Sequence, residues 1–183
     1  MNDLTKNQRF HATMLPHLNS AFNLARWLSR GHQDAEDIVQ EAYLRAFNFF
    51  DSFHGEDGRV WLLGIVRNTF YTWYQLHKVH SNNEQFEDEL HSTHAGIATS
   101  QENGNPEIIL IQKDSHRSLM EALRELPIEF REVMIMRELE DLSYKQIAEI
   151  IQIPIGTVMS RLGRGRKQLA TILASKQNIG SAQ

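Results

Sequence analysis

Basic side chains crowd the end of the sequence, where they could bind an anion. No acidic residue follows Glu149, and the basic residues beyond it are Arg161, Arg164, Arg166, Lys167 and Lys176. Guanidinium and ammonium groups without neighbouring carboxylates attract phosphate groups, whatever the charge elsewhere in the chain. Although the formal net charge of the whole sequence is -4, this local pattern predicts contact with a polyanion such as nucleic acid.

Two short helices joined by a tight turn are predicted to position these cations. Ser143 and Gln146 have the spacing of a capping box, which marks the start of a helix over residues 144–151. The letters QIP end this helix, and a second, basic helix begins at about Gly156. This arrangement is typical of a helix-turn-helix, whose second helix enters the major groove of DNA.

The final helix has two chemically different faces. Val158, Leu162 and Leu169 recur at helical spacing, so their face is predicted to pack against the preceding helices. The other face suits direct readout, because Arg can pair bidentately with guanine, Ser can donate or accept, and Met can contact a thymine methyl group. The predicted duplex contacts are Thr157, Met159, Ser160, Arg161, Arg164 and Lys167.

Helical spacing of apolar residues recurs along the rest of the chain, and strand patterns are nearly absent, which predicts an all-α fold. We expect Gly31 to end the first helix in the left-handed conformation and Asp34 to cap the second. On this second helix, Ile38, Ala42 and Ala46 form the face expected in the core. The predicted helices cover residues 11–29, 34–50, 60–78, 107–124, 129–140, 144–151 and 156 to about 173.

An acidic, polar stretch divides the chain. Acids outnumber bases over residues 81–115, and residues 81–105 are also short of aromatic side chains, a composition typical of a flexible linker. With 41% hydrophobic residues, the flanking segments can each bury a small core. We therefore predict two small helical domains, over residues 1–80 and 106–183, joined by this acidic linker, with the helix-turn-helix in the second.

Other chemistry is not predicted. The sequence has no cysteine, which excludes disulfides and zinc–thiolate sites. Its start lacks a signal-peptide pattern, and no apolar run reaches the roughly 20 residues of a membrane span, so we expect a cytoplasmic protein without stable membrane insertion. The pairs His77/His80 and His91/His94 lack further ligands, and no phosphate-binding loop or catalytic triad is suggested. We expect no metal, no cofactor and no enzymatic activity.

Several segments resemble, in order and with similar spacing, the conserved segments of the extracytoplasmic-function (ECF) sigma factors of the sigma-70 family. They read DAEDIVQEAYLRAF, FDSFHGEDGRVWLLGIVRNTFYTWY, NPE and LRELPIEFREVMIMRELEDLSYKQIAEIIQIPIGTVMSRLGRGRKQL, and the likeness extends from Phe10 to about Ala170. The resemblance implies an alternative RNA polymerase sigma factor. Its first domain would bind core RNA polymerase and melt the −10 promoter element, and its second would read the −35 element.

The resemblance also implies partners and a contact surface for each. The family helix that matches residues 34–50 docks on the polymerase clamp, which implies core-polymerase contacts at Asp37, Gln40 and Glu41. The helical pattern independently leaves these three side chains outside the core. Promoter DNA is the second implied partner, and an anti-sigma factor that covers the polymerase-binding surfaces is the third.

The family's −10 element corresponds to the loop before the long helix and to that helix itself. Holding an unpaired base requires polar edges, planar side chains and a positive track. The residues that match these positions or supply these types are His54, Arg59, Arg67, Asn68, Tyr71 and Lys78. The aromatic residues Trp61, Phe70 and Trp73 are predicted to lie in the core instead. Thr72 and Gln75 depart from the family, many of whose members carry Asp and Arg there.

Two other functional classes remain open from the residues alone. A helix-turn-helix regulator that binds duplex DNA as a dimer, without being a polymerase subunit, would explain the second domain. It would give the motifs of the first domain no role. An interaction module that sequesters an acidic partner would use the same basic helix, and salt-dependent DNA binding would count against it.

Overall fold

The structure is a computed structural model in which all regular secondary structure of the described residues is helical. It describes the backbone of residues 2–55, 57–81 and 106–180, and the side chains of residues 5–55, 57–78 and 115–176. The helices are α1 (Asn2–Met14), α2 (Leu18–Ser29), α3 (His32–Phe49), α4 (Gly58–Ser81), α5 (Pro106–Glu125), α6 (Ile128–Met134), α7 (Tyr144–Ile151) and α8 (Ile155–Gly180). The predicted all-α fold is confirmed, and the predicted linker lies, apart from Ser81, outside the described residues.

Helices α2, α3 and α4 form the core of the first domain, and α1 closes it. Ile38 and Ala42 are buried on the face of α3 that the apolar spacing predicts. Phe70 of α4 is 1% exposed, and burial of such a side chain contributes about 1.5–3 kcal/mol. Phe10 of α1 packs edge-on against Phe50, with 5.3 Å between the ring centroids, which holds α1 against the end of α3.

The first predicted helix is wrong in its extent, because the chain breaks at Pro16. Helix α1 ends at Met14, a 3₁₀ turn over Leu15–His17 contains Pro16, and α2 begins at Leu18. Proline has no backbone N–H to donate, and its ring clashes with the carbonyl group one turn earlier in a helix. Pro16 therefore separates two helices that the apolar spacing over residues 11–29 had joined.

The turn between α2 and α3 also differs from expectation, since Arg30 rather than Gly31 is left-handed. Arg30 has a φ of 65°, whereas Gly31 is extended with a φ of -113°. A Cβ atom at Gly31 would lie 2.8 Å from Oδ2 of Asp34, so glycine here makes room for a carboxylate. Helix α3 begins at His32, and Asp34 lies in its first turn rather than at its cap. The expectations for Gly31 and Asp34 are therefore wrong.

Helices α5 to α8 form the second domain, and the predicted helix-turn-helix is confirmed in α7 and α8. The backbone N–H of Gln146 donates to Ser143 Oγ at 3.2 Å, and the Ser143 N–H donates to Gln146 Oε1 at 2.9 Å, so the capping box is present. Helix α7 ends at Ile151, Gln152 follows in the left-handed conformation with a φ of 62°, and α8 begins at Ile155. This short turn sets the direction of α8.

A π-helical turn over Ile135–Leu139 continues α6, where the sequence predicted one regular helix over residues 129–140. The Glu140 N–H donates to the Ile135 carbonyl group at 3.1 Å, one residue further back than in an α-helix. Asp141 follows with a φ of 50°. The wider turn carries Glu140, which is 6% exposed, to the contact with the first domain.

The two domains pack against each other. Helices α2 and α4 of the first domain contact α6 and α7 of the second, and buried apolar side chains of both domains form one connected cluster. Polar contacts also cross the boundary, and Gln146 Nε2 donates to Asp57 Oδ2 at 2.8 Å. This packing decides which of the predicted site residues face solvent.

Candidate nucleic-acid interface

Helix α8 exposes the polar face that the sequence predicts to read duplex DNA. Val158 is fully buried and Leu162 is 1% exposed, so these side chains fix the rotation of the helix against its domain. The opposite side faces solvent, and Met159 there is 54% exposed. The exposed predicted residues are Thr157, Met159, Ser160, Arg164 and Lys167. They lie on one accessible surface without any rearrangement of the second domain.

Acidic residues from other helices neutralise three of the five basic residues at the end of the chain. The ion pairs are Arg161–Glu132 at 3.4 Å, Arg166–Glu138 at 2.7 Å and Lys176–Glu125 at 2.7 Å between charged atoms. The expectation that these cations lack neighbouring carboxylates is therefore wrong for Arg161, Arg166 and Lys176. Arg164 and Lys167 have no ion pair among the described residues, so they are available to phosphate groups.

A buried carboxylate on α6, Glu132, collects polar contacts from both domains. Its side chain is 1% exposed. Arg67 of α4 donates to it from Nε at 2.8 Å and from Nη2 at 3.2 Å, and the Tyr71 hydroxyl donates at 3.2 Å. Arg161 of α8 approaches from within the second domain at 3.4 Å. These donors compensate a buried charge that would otherwise cost several kcal/mol.

The surroundings of Glu132 shift the pKa values of its two partners on α4. Burial raises the pKa of Tyr71 to about 12, and the negative charge of Glu132 acts in the same direction. Burial alone lowers the pKa of Arg67, but its hydrogen bonds and attraction to Glu132 outweigh this effect and raise the pKa above its ordinary value. Both side chains therefore keep their donor protons at neutral pH.

Glu140, at the end of the π-helical turn, makes a second polar contact with the first domain. Its Oε2 lies 2.5 Å from Arg59 Nη2, and its carbonyl oxygen accepts from the same nitrogen at 2.9 Å. Asn23 Nδ2 on α2 lies 3.4 Å from Glu140 Oε1. Arg59 also donates from Nε to Ser20 Oγ at 3.2 Å. The Arg59 side chain is thus held between α2 and the second domain.

The predicted −10 contacts fall into two groups. The exposed group is His54, Asn68 and Lys78, and the group that contacts the second domain is Arg59, Arg67 and Tyr71. The sequence predicts these six residues as −10 contacts, and it does not predict that three of them meet another domain. Of the three aromatic residues predicted to lie in the core, Phe70 is buried there, and Trp61 and Trp73 are partly buried and pack against it.

The predicted polymerase contacts on α3 lie on an exposed face. Asp37, Gln40 and Glu41 are all exposed. Asp37 and Glu41 also line a groove of about 340 Å³ between α3 and α4, whose apolar wall includes Trp73 and Leu76. A rim of carboxylates beside an apolar wall can bind a helix that carries both apolar and basic side chains.

Three residues of the domain contact, Glu132, Glu140 and Asn23, are missing from the sequence predictions. The sequence does indicate that Glu132 is unusual, since it lies in the run FREVMIM, where apolar residues dominate α6. A carboxylate within such a face is almost never buried unless it is paired. Glu140 left no comparable signal, because its position depends on the π-helical turn.

Neither a metal site nor a membrane-spanning helix is found among the described residues. His77 Nδ1 lies 2.9 Å from the Trp73 carbonyl oxygen, and the two rings stack with 4.2 Å between centroids. The pair His91/His94 and the side chain of His80 lie outside the described residues. Within the described part of the chain, no group of three or more His, Asp or Glu side chains could hold a metal ion. None of the described helices is long and apolar enough to cross a membrane.

The fold and the exposed face of α8 define a class, the two-domain helical proteins that bind DNA through a helix-turn-helix. Comparison with known families narrows this class. The model described as Sigma-70 region 2 matches residues 14–79, and the model described as Sigma-70, region 4 matches residues 116–169. The two matches fall on α2 to α4 and on α5 to α8, in the order in which the chain forms its two domains.

Individual relatives agree with the family models. The chain is 31% identical over 147 residues to the ECF RNA polymerase sigma-E factor of Haemophilus influenzae, covering 80% of this chain and 77% of the relative. It is 30% identical over 148 residues to that of Escherichia coli K12, covering 80% and 76%. The sigma factor RpoE of Bartonella quintana, solved with the anti-sigma factor NepR, is 27% identical with a TM-score of 0.74, covering 91% of this chain and 98% of that chain. The chain therefore belongs to the ECF sigma factors, which are non-enzymatic initiation factors.

Proposed function

We propose that this ECF sigma factor uses three separate surfaces to bind core RNA polymerase and promoter DNA. The α3 face binds core RNA polymerase, the α4 surface opens and reads the −10 element, and α8 reads the −35 element. One observation carries the proposal, namely that both sigma-70 regions occur in one chain while α8 presents an exposed polar face. In this division, residues 1–80 and 106–183 are the two domains, and residues 81–105 connect them.

The −35 surface uses the two ends of the exposed α8 face differently. Thr157, Met159 and Ser160 lie near the start of the helix, where recognition helices contact base edges. Arg164 and Lys167 lie further along and can hold a base or the phosphate backbone. Arg161 joins this surface when it leaves Glu132. The exposure of Thr157, Met159, Ser160, Arg164 and Lys167 supports the assignment.

The −10 surface combines exposed side chains with side chains that contact the second domain. His54, Asn68 and Lys78 are accessible at once. The remaining predicted contacts, Arg59, Arg67 and Tyr71, become accessible when the two domains separate. Together they would provide the planar and cationic groups that an unpaired strand requires.

Regulation and location follow from the same assignment. We place the protein in the cytoplasm, where bacterial RNA polymerase acts on DNA. We also propose an anti-sigma factor as a partner, supported by the Bartonella quintana relative that was solved with one. An inhibitor that covers the groove beside Asp37 and Glu41 would block the polymerase surface.

The two other classes have less support. A helix-turn-helix regulator that acts without polymerase needs no sigma-70 region 2, yet residues 14–79 match that region. A module that sequesters an acidic partner would not need affinity for promoter DNA. Salt-dependent binding to a −35 duplex separates this last class from the sigma factor.

The polymerase surface is tested with a charge reversal at Asp37. Asp37→Arg should weaken binding to core RNA polymerase roughly tenfold or more, because a cation would replace a carboxylate at a contact with basic residues. Affinity for duplex DNA should not change. The matched control Glu36→Arg makes the same charge change at an exposed position of α3 outside the predicted contact. Affinities come from a fluorescence titration of core polymerase with the full-length chain.

Run-off transcription on fragmented genomic DNA then tests the function as a whole. Wild-type chain and core polymerase should give new transcript start sites that share two spaced upstream motifs. Equal polymerase affinity of wild type and Asp37→Arg would contradict the α3 assignment. No new start sites, with a polymerase shown to be active with another sigma factor, would contradict the proposed function.

A further inference from the structure

The contact between the two domains pairs acidic residues of the second with hydrogen-bond donors of the first. Glu132 accepts hydrogen bonds from Arg67 and Tyr71, and Glu140 forms an ion pair with Arg59. The three donors of the first domain belong to the proposed −10 surface. Promoter DNA and the second domain therefore require the same side chains.

Glu132 occupies one side of the Arg67 guanidinium group, and a DNA phosphate could bind that same side. Arg67 directs Nε and Nη2 to the two carboxylate oxygens of Glu132, at 2.8 Å and 3.2 Å. An arginine binds a phosphate group through the same two parallel N–H groups. The Arg67 side chain is only 16% exposed in this arrangement, so Glu132 must move before a phosphate group can pair with these two N–H groups.

We propose that Glu132 and Glu140 hold the free chain in a closed form that masks Arg59, Arg67 and Tyr71, and that single-stranded promoter DNA binds this surface only after the domains separate. The inference rests on the proposed function, because it takes these three side chains as part of the −10 surface. Since Thr157, Met159, Ser160, Arg164 and Lys167 of α8 are exposed in the same arrangement, the mask covers Arg59, Arg67 and Tyr71 of the −10 surface and leaves these five residues open.

The same contact contains positive charge that opposes closure. Arg131 is 3% exposed, and its Nε has no hydrogen-bond partner among the described residues. Arg131 Nη1 and Arg30 Nη2 both donate to the Arg124 carbonyl oxygen, at 2.9 Å and 2.7 Å. Burial, together with the charge of Arg30, lowers the pKa of Arg131 to about 10. Separation of the domains relieves this repulsion, so a polyanion or a partner surface can open the closed form.

Opening can be measured directly on the full-length chain, because the sequence has no cysteine. Cysteines introduced at Asn48 on α3 and at Gln168 on α8, both exposed positions, would carry a donor dye and an acceptor dye. The efficiency of energy transfer between the dyes then reports the separation of the two domains. Neither polymerase nor DNA is needed for this readout.

Two substitutions weaken the proposed contacts and leave the −10 surface intact. Glu132→Gln and Glu140→Gln each remove one negative charge with little change in side-chain volume. Glu138→Gln is the matched control, because Glu138 pairs with Arg166 inside the second domain at 2.7 Å. We expect lower transfer efficiency in the first two variants and a wild-type value in the control.

Affinity for single-stranded DNA is the second readout, with a fluorescein-labelled oligothymidylate as the probe. A non-specific strand suffices, because exposed cations bind the backbone whatever the base sequence. Glu132→Gln and Glu140→Gln should bind it more tightly than wild type, by roughly 5- to 150-fold, the usual range for coupling between two sites. Glu138→Gln should bind it as wild type does, which separates opening from a general change in net charge.

The outcomes separate the closed form from the proposed function. Lower transfer efficiency together with tighter oligothymidylate binding supports the proposal. Unchanged energy-transfer efficiency in both variants would contradict the claim that these glutamates hold the domains together. Lower efficiency without tighter oligothymidylate binding would contradict the claim that the closed form blocks binding of a single strand. If circular dichroism shows that Glu132→Gln does not fold, Glu140→Gln decides, since its side chain bonds to the first domain. Failure of the proposed function would appear instead as absent run-off transcripts with wild-type chain.

Discussion

The two helices that carry the predicted DNA contacts differ in how much of their basic surface is open. On α8, Arg164 and Lys167 are exposed and have no ion pair among the described residues, whereas on α4 Arg67 and Tyr71 bond to Glu132. The orientation of α8 is fixed by apolar side chains of its own domain. The accessibility of the −35 surface thus depends on packing within the second domain. The accessibility of the −10 surface depends on how the two domains pack against each other.

This difference also sets the scale of energy for opening. Removing one partner of a buried ion pair costs about 3–5 kcal/mol, because the other charge stays buried without compensation. Separation of two domains returns both Glu132 and Arg67 to water, so most of that cost does not arise. The closed form then depends on a small net balance, to which the repulsion between Arg30 and Arg131 contributes unfavourably.

Among substitutions that test the difference between α8 and α4, the largest effect is expected from a charge reversal at Arg164 on α8. Arg164→Glu should lower affinity for a −35 duplex by roughly ten- to a hundredfold, since an arginine contact to a base is worth about 1–3 kcal/mol. Because α8 is already exposed and the Glu140 side chain bonds to the first domain, the same factor should apply in the Glu140→Gln background, as for independent sites. Fluorescence anisotropy measures both, with the duplex taken from mapped start sites.

A matched control and a contrary result define this test. Arg117→Glu makes the same charge change on α5, where the Arg117 side chain is 67% exposed, and it should leave duplex affinity nearly unchanged. If the loss at Arg164 differs several-fold between the wild-type and Glu140→Gln backgrounds, the first domain masks α8 as well. The distinction between the two helices would then be wrong.

A smaller effect is expected from two glycines that lie on opposite sides of α8. A Cβ atom at Gly165 would lie 3.2 Å from Met134 Cγ and 3.3 Å from Phe130 Cβ, whereas one at Gly163 would meet no atom within 4 Å. Gly165→Ala should lower the free energy of unfolding by about 1–3 kcal/mol, because it forces α6 away from α8. Gly163→Ala should raise it by about 0.5–1 kcal/mol, the usual gain for alanine inside a helix.

Thermal unfolding followed by circular dichroism measures both glycine variants. Tryptophan fluorescence offers an internal control, because all 3 tryptophans lie within residues 1–80 and report on the first domain. A stabilising Gly165→Ala, or equal changes at both positions, would contradict the orientation of α8 on which the exposed DNA-binding face depends.

Features set by neighbouring residues could be predicted from the sequence. The capping box depends on Ser143 and Gln146, and the buried and exposed faces of α8 depend on apolar spacing over a few turns. Pro16 and Gly31 are also local signals, but the apolar periodicity over residues 11–29 runs across the proline and predicts one continuous helix. A glycine after a helix predicts a left-handed residue, whereas in the structure Gly31 makes room for Asp34.

The masked part of the −10 surface could not be predicted in this way. Arg67 and Glu132 are 65 residues apart in sequence, and Arg59 and Glu140 are 81 apart. Periodicity assigns a residue to a face of its own helix, but it does not say which other helix covers that face. The π-helical turn that carries Glu140 left no signal either, so the sequence could not identify the partner of Arg59.

The smallest effect is expected at Asp57, where the start of α4 meets the second domain. Asp57 Oδ1 accepts from the Val60 N–H at 3.1 Å, and Oδ2 accepts from Gln146 Nε2 at 2.8 Å. Burial raises the pKa of Asp57, but these hydrogen bonds outweigh it and bring the pKa below its ordinary value. Because the folded-state pKa is the lower one, the carboxylate stabilises the fold above the unfolded-state pKa, and this contribution disappears as the pH falls through the folded-state pKa.

Asp57→Ala should therefore lower the free energy of unfolding by about 1 kcal/mol at neutral pH, the usual effect of losing a helix N-cap. The difference from wild type should stay constant down to about pH 5 and shrink as the pH falls below about 4, near the unfolded-state pKa of an aspartate. Urea unfolding followed by tryptophan fluorescence measures it in the first domain. The control Asp51→Ala removes a carboxylate whose side chain is 75% exposed and paired with Lys6, and it should cost less. A difference at Asp57 that persists unchanged in acid would mean that its charge does not support this boundary, and Arg59, Arg67 and Tyr71 would then account for the polar contact of α4 with the second domain.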